Sequence, residues 1–214
     1  MSNILFIVAK QGFRDEEYFI PKEILKNAGH KIKTASNAKS GEDAIGADNG
    51  KVKIDANLSE IKGDDFDAVV FVGGPGALEN LDNKTSYRLA QDFFNKNKLT
   101  AAICVAPSIL AKAGVLKGKQ ATVWSSTFDK SGIETLKNNG AEFIDENVVQ
   151  DGNIITANGP KIAICFLMTS DIIFLKSCIS SGIFLLYHIN SICLWISNLI
   201  FFRQILWQLE ARWR

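Results

Sequence analysis

Histidine is nearly missing from this chain. Its 214 residues hold only His30 and His188, so any reaction that needs a histidine base has little to draw on. Cysteine is scarce as well. Residues 1–161 contain Cys104 alone, and Cys165, Cys178 and Cys193 fall in the last quarter. A single cysteine forms no internal disulfide, which suits folding in a reducing compartment. A surplus of charge is also lacking, with 24 Lys+Arg against 23 Asp+Glu. There is no electrostatic footprint for nucleic acid, and no nucleic-acid partner is expected. No His/Cys/Asp/Glu cluster has metal-ligand spacing, so neither a metal nor another cofactor is expected. The apolar start at residues 1–9 has no basic segment and is too short for a signal peptide. Cytoplasmic folding is the resulting expectation.

What is present divides into two materials. Residues 1–161 carry 20 Lys+Arg and 21 Asp+Glu, whereas residues 162–214 carry 4 and 2. Three of the four tryptophans (Trp195, Trp207, Trp213) lie in that last stretch. The expected organisation is one globular domain over 1–161 and an atypical hydrophobic tail over 162–214.

Within the first part, short apolar runs alternate with helical spacing. Residues 3–9 (NILFIVA) and 67–72 (DAVVFV) are rich in branched residues and predict strands buried on both faces. Residues 31–35 and 100–103 predict two more strands, and 122–124 a further one. Residues 16–27, 86–95, 107–113 and 133–138 predict helices. Gly29 is placed to stop the first, and Pro107 stands in an opening turn, where its missing N–H is not needed. Asn49-Gly50 predicts a hairpin within 41–56 at the sheet edge, and Asp151-Gly152 a second between 148–150 and 153–157. No internal repeat and no low-complexity linker interrupt the pattern. Such alternation implies a mostly parallel central sheet covered on both faces, with sites at the carboxyl ends of its strands.

Three features meet that description. Cys104 stands between a strand and a helix, the position of a nucleophile elbow. A helix N-terminus favours negative charge and should lower the thiol pKa. The plainer alternative is a small apolar residue closing a buried strand. Gly73-Gly74 ends another strand. Its two N–H groups, with that of Val105, have the makings of an oxyanion hole, although a lone Gly-Gly pair is more often only a tight turn. No Lys-Ser/Thr follows, which excludes a phosphate loop. Glu16 and Glu17 open the first helix. A carboxyl group facing the thiol serves as a hydrogen-bond donor when protonated and as a base when ionised. The ordinary role of glutamate there is to complement the helix dipole.

At these residues the sequence resembles the DJ-1/PfpI family, a branch of the class I glutamine-amidotransferase-like superfamily. The resemblance rests on residues 15–21 (DEEYFIP), 29–36 (GHKIKTAS), 66–76 (FDAVVFVGGPG), 101–118 (AAICVAPSILAKAGVLKG) and 151–160 (DGNIITANGP). It implies a flavodoxin-like three-layer α/β/α sandwich and a homodimer. It implies Cys104 as the reactive cysteine, Glu17 as its acidic partner, and Gly74 and Val105 as donors of backbone N–H groups to the reactive centre. Two departures stand out. Peptidase-like members have His directly after the cysteine, where this chain has Val105. A position that often holds His near the site corresponds to Trp124. Both argue against proteolysis and leave a Cys/Glu pair. Glu79 falls near the place where peptidase-like members carry another acid.

The tail is the third departure. The family continues after Gly159-Pro160 into a charged amphipathic helix. Here an uncharged run of 26 residues extends from Ser177 to Phe202, between Lys176 and Arg203. A membrane span needs ~20 apolar residues. Segment 177–202 therefore reads as a membrane anchor, a buried extension, or the product of an altered reading frame, and the abrupt compositional shift favours the last. Any membrane association would run through this segment alone. Poor solubility of the full chain is expected.

The function these residues point to is cysteine-dependent chemistry on small dicarbonyls or their adducts, of glyoxalase or deglycase type. The partner is then a small carbonyl substrate. The alternative is a non-enzymatic oxidative-stress sensor or chaperone. An intracellular cysteine peptidase comes third, since no histidine is in place.

Overall fold

The computed structural model describes residues 1–159. The segment 162–214, with its candidate span 177–202, lies outside the described residues. Strand β1 (Asn3–Val8) and a short β2 (Gln11–Phe13) lead into helix α1 (Asp15–Asn27). Gly29 ends that helix at φ +86°, and its N–H donates to the Lys26 carbonyl at 3.0 Å, a left-handed stop open to glycine. β3 (Lys31–Ser36), β4 (Asp43–Gly46), β5 (Lys51–Lys53) and β6 (Ala56–Asn57) follow. Then come β7 (Ala68–Phe71), α2 (Ala77–Leu81), α3 (Lys84–Asn95) and β8 (Leu99–Ile103). The Asn83 side chain caps α3, accepting from the N–H groups of Thr85 and Ser86. The described part closes with α4 (Pro107–Lys112), β9 (Gln120–Ala121), α5 (Ser131–Asn138), β10 (Glu142–Phe143), β11 (Val148–Asp151) and β12 (Ile154–Ala157).

The main sheet has seven strands in the order β11-β12-β8-β7-β1-β3-β6. All neighbours run parallel except β11 and β12, which form an antiparallel hairpin at one edge. From β1 the chain winds outward to β3 and β6. It then returns to β7 on the other side of β1 and winds the opposite way. Right-handed crossovers running in opposite directions put α1 and α3 on opposite faces. The order reverses between β1 and β7, where a crevice opens at the strand ends. Ile4, Leu5, Phe6, Ile7 and Val8 of β1 and the whole of β7 are buried. Each such large side chain contributes roughly 1.5–3 kcal/mol relative to an exposed one. The flavodoxin-like architecture implied by the resemblance is the one observed.

Two expectations need correction. The hairpin around Asn49-Gly50 forms between β4 and β5, but it is not the edge of the main sheet. It joins β2 in a separate three-stranded sheet, because the carboxylate of Asp15 ties its turn to the start of α1. Asp15 accepts from Asp48 N at 2.9 Å and from Gly50 N at 2.7 Å. The strand expected at 122–124 is not one. The strand is β9 at Gln120–Ala121, paired with β10. Beyond it the Thr122 N–H donates to the Thr156 hydroxyl and the Trp124 N–H to the Cys104 carbonyl, so local bonds to the site replace a ladder. Among the described residues no helix is long and apolar enough to cross a membrane.

Candidate active site

Cys104 follows the last residue of β8 and precedes α4 by two residues. Its N–H donates to the Ala157 carbonyl of β12 at 2.8 Å, and its own carbonyl accepts from Trp124 N at 2.8 Å. Both main-chain groups are thus held in place, and φ is forced to +62°. Among the described residues the other non-glycine positions with positive φ are Asn49 and Asn97, and asparagine tolerates that region. Cysteine does not, and the strain costs about 1–3 kcal/mol. The turn continues with Ala106 N–H donating to the Ile103 carbonyl at 3.1 Å and Pro107 starting α4. The result is an elbow that lifts the sulfur off the strand. Cys104 as a whole is 7% exposed.

Glu17 reaches the same point from the first turn of α1. It is fully buried, and its Oε2 accepts from Gly73 N at 3.1 Å. Oε1 is buried with no hydrogen-bond partner, although the carboxyl and the Cys104 thiol are close enough to shift each other's titration. Burial pushes the Glu17 carboxyl up to about 7, offset in part by the thiol, the Gly73 N–H and the positive charge of Arg14. Glu17 therefore titrates in the neutral range.

The glycine pair is demanded by space. A Cβ on Gly73 would lie 2.6 Å from Cys104 Cβ and 2.8 Å from Glu17 Oε2. Gly74 has φ +110°, and a Cβ there would lie 2.3 Å from Arg14 N. The N–H groups of Gly74 and Val105 face the sulfur. That of Gly73 does not join them. It is bound to Glu17, which narrows the expected three-amide hole to two donors. The reason is geometric: Gly73 packs against both Cys104 and Glu17, and the carboxyl takes its N–H.

The expectation of a lowered thiol pKa is also overturned. Burial, followed by the charge of Glu17, pushes Cys104 up to about 12, against the opposing pull of the Gly74 and Val105 N–H groups. The helix start contributes its amide, but desolvation and a neighbouring carboxylate outweigh it. The resting sulfur is a thiol, and the carboxylate form of Glu17 beside it is placed to accept the proton as the sulfur forms a new bond.

The remaining expected residues take different places. Glu16 is exposed and acts only through its charge, which raises Glu17 slightly. Trp124 touches the site through its main chain, and the residue is exposed. Glu79 is exposed on α2. His30 stands just before β3, at the amino ends of the strands, whereas Cys104 lies at their carboxyl ends. His188 lies outside the described residues. Among the described residues no group of three or more His, Cys, Asp or Glu is arranged to hold a metal ion. Arg14 and the Ala157 carbonyl escaped the sequence reading. Arg14 carried no motif signal beyond standing three residues before Glu17, and a backbone carbonyl from a distant strand leaves none.

The chain as a whole is similar to known proteins. The DJ-1/PfpI family model matches residues 2–170. The chain belongs to the DJ-1/PfpI family. The match runs past Lys161, where the composition breaks. An uncharacterized protein of Methanocaldococcus jannaschii, MJ0967, is 40% identical over 166 residues, covering 77% of this chain and 78% of that one. The deglycase PfpI of Pyrococcus furiosus is 36% identical over 157 residues, covering 73% of this chain and 90% of its own. Among solved structures, a ThiJ/PfpI domain protein of Brachyspira murdochii superposes with a TM-score of 0.73 at 35% identity, over 81% of this chain and 95% of that one. DJ-1beta of Drosophila melanogaster gives a TM-score of 0.70 at 29% identity, over 87% of this chain and all of its own. DJ-1/PfpI relatives thus include proteins named as deglycases.

Proposed function

We propose that this protein is a cysteine-dependent enzyme acting on small dicarbonyls or their amino adducts, of glyoxalase or deglycase type. One observation carries the reading: a buried carboxyl that titrates near neutrality sits beside a strained cysteine whose sulfur is faced by two backbone amides. Ionised Glu17 takes the thiol proton as Cys104 Sγ adds to the aldehyde carbon. A C–S bond forms, the C=O π bond breaks, and the Gly74 and Val105 N–H groups stabilise the oxyanion. Protonation gives a hemithioacetal. Removal of the proton on that carbon by Glu17, and its return to the neighbouring carbon, moves the oxidation level within the substrate. A thioester results, which water hydrolyses to a hydroxy acid. No external oxidant is needed.

The deglycase names of relatives at 33–36% identity support this class of chemistry. Family likeness supports a homodimer as the working unit, and the single cysteine of residues 1–161 suits a cytoplasmic one. A raised thiol weighs against the alternative of oxidative sensing, since peroxide attacks the thiolate. The absence of a histidine near Cys104 among the described residues weighs against a peptidase. The test is lactate formation from methylglyoxal by the full chain. Turnover is expected, with Cys104→Ser reducing it to background. Full activity in that variant would reject the mechanism.

A further inference from the structure

Among the described residues, Arg14 is the cation whose charge reaches the Glu17 carboxyl, and its donors are not used up. Its main chain is fixed: the N–H donates to the Gly73 carbonyl at 3.0 Å and lies against Gly74 so closely that a Cβ there would fall 2.3 Å away. Arg14 is thus anchored on the two glycines that flank the sulfur and the Glu17 carboxyl. Its Nε is buried without a hydrogen-bond partner. An unsatisfied charged donor is unfavourable unless something arrives to accept from it.

The neighbouring acids do not supply the acceptor. Both oxygens of Asp15 are engaged by Asp48 N and Gly50 N. Glu17 Oε2 is engaged by Gly73 N. Asp48 comes nearest, with Oδ2 at 3.6 Å from Arg14 Nη1, but its side chain is 59% exposed. That is an ion pair in contact with water, longer than a hydrogen bond. The Arg14 charge also reaches the Glu17 carboxyl.

We infer that Arg14 receives an anionic group on the substrate, so that the preferred carbonyl compounds are small dicarbonyls that also bear a carboxylate. A guanidinium fork matches a carboxylate in two parallel hydrogen bonds, which would orient the aldehyde carbon toward Cys104. The covalent step is unchanged. S–H adds across the aldehyde C=O, the proton passes through Glu17 to the new oxygen, and the carboxylate stays ionised against Arg14. This inference rests on carbonyl addition at Cys104 and deepens it by naming the substrate class.

The test uses two probes of nearly equal size, iodoacetate and iodoacetamide, with alkylation of Cys104 in the full chain followed by peptide mass spectrometry. Arg14 also helps set the charge of Glu17, so both rates will move on substitution. Their ratio cancels the proton chemistry and isolates the carboxylate. Arg14→Gln should lower the iodoacetate/iodoacetamide ratio by ~tenfold, the scale of a charge-assisted hydrogen bond, with Arg14→Lys recovering part of it. Asp48→Asn, at an exposed side chain, should raise the ratio by removing the competing carboxylate. A ratio that moves in neither Arg14→Gln nor Asp48→Asn overturns the inference. Failure of wild-type protein to make lactate from methylglyoxal would reject the proposed reaction instead, and the ratio would still decide the role of Arg14.

Discussion

A buried carboxyl that titrates at about 7 has opposite consequences for activity and for stability. For activity, the base form is required, so kcat/KM should rise through pH ~7 and level off above it. Replacing Glu17 by Gln should reduce turnover by roughly 10²–10⁴-fold, the usual range for a lost general base. For stability, the folded-state value lies above the unfolded one, so the folded protein binds more protons between the two. Stability is then greatest below the unfolded value and falls as pH rises through about 7. Glu17→Gln should accordingly raise the melting temperature at alkaline pH, by the equivalent of about 1–3 kcal/mol, with the gain vanishing in acid. Thermal melts of both proteins across that range check the sign. Gly73→Ala acts through space alone. Its methyl group would press on Cys104 and Glu17, destabilising by roughly 1–3 kcal/mol and abolishing turnover. Glu17, Cys104 and the glycine pair were legible because residue type and position coincide there. The protonation state of Cys104 was not legible, since burial depth and the distance to an acid far away in the chain are properties of the fold.

Elements were legible wherever periodicity was strong and long. The apolar runs of β1 and β7 and the spacing of α1 and α3 point to their structures without help, because each must bury one or both faces. Short pieces were not. β2, β9 and β10 have two or three residues each, too few to show an alternation, and the supposed strand at 122–124 is an extended segment tied to Cys104 and Thr156. The β4–β5 hairpin forms at the expected turn but belongs to a separate sheet, because Asp15 ties that turn to the start of α1, a contact that leaves no periodic signal. Both of its oxygens hold the 46–50 turn, and Gly46 and Gly50 leave room for it. Asp15→Ala should therefore destabilise by about 1–3 kcal/mol, the penalty for stranding buried donors. It should also speed amide exchange at Asp48 and Gly50 selectively, a result accessible by hydrogen-exchange mass spectrometry.

For the whole molecule, the reversal of strand order between β1 and β7 explains why residues at 14–17, 73–74 and 104–105 converge. Residues 73–74 and 104–105 lie just past the carboxyl ends of β7 and β8, and 14–17 follow β1 after the short β2. A doubly wound sheet has one such reversal here, and the chemistry occupies it. Sequence alternation implied a mostly parallel sheet and the family resemblance its flavodoxin-like layering, whereas the strand order comes from the structure. The Gly73 hydrogen bond to Glu17 and the free Nε of Arg14 emerge only once three strands stand side by side. The most direct test of the central claim, that Glu17 takes the proton of a resting Cys104 thiol, is the pH dependence of Cys104 alkylation by iodoacetamide in wild type and Glu17→Gln. The wild-type rate should climb through pH ~7 and the variant should stay slow across neutrality. A wild-type rate already flat below neutral pH, or an equally fast variant, would contradict it.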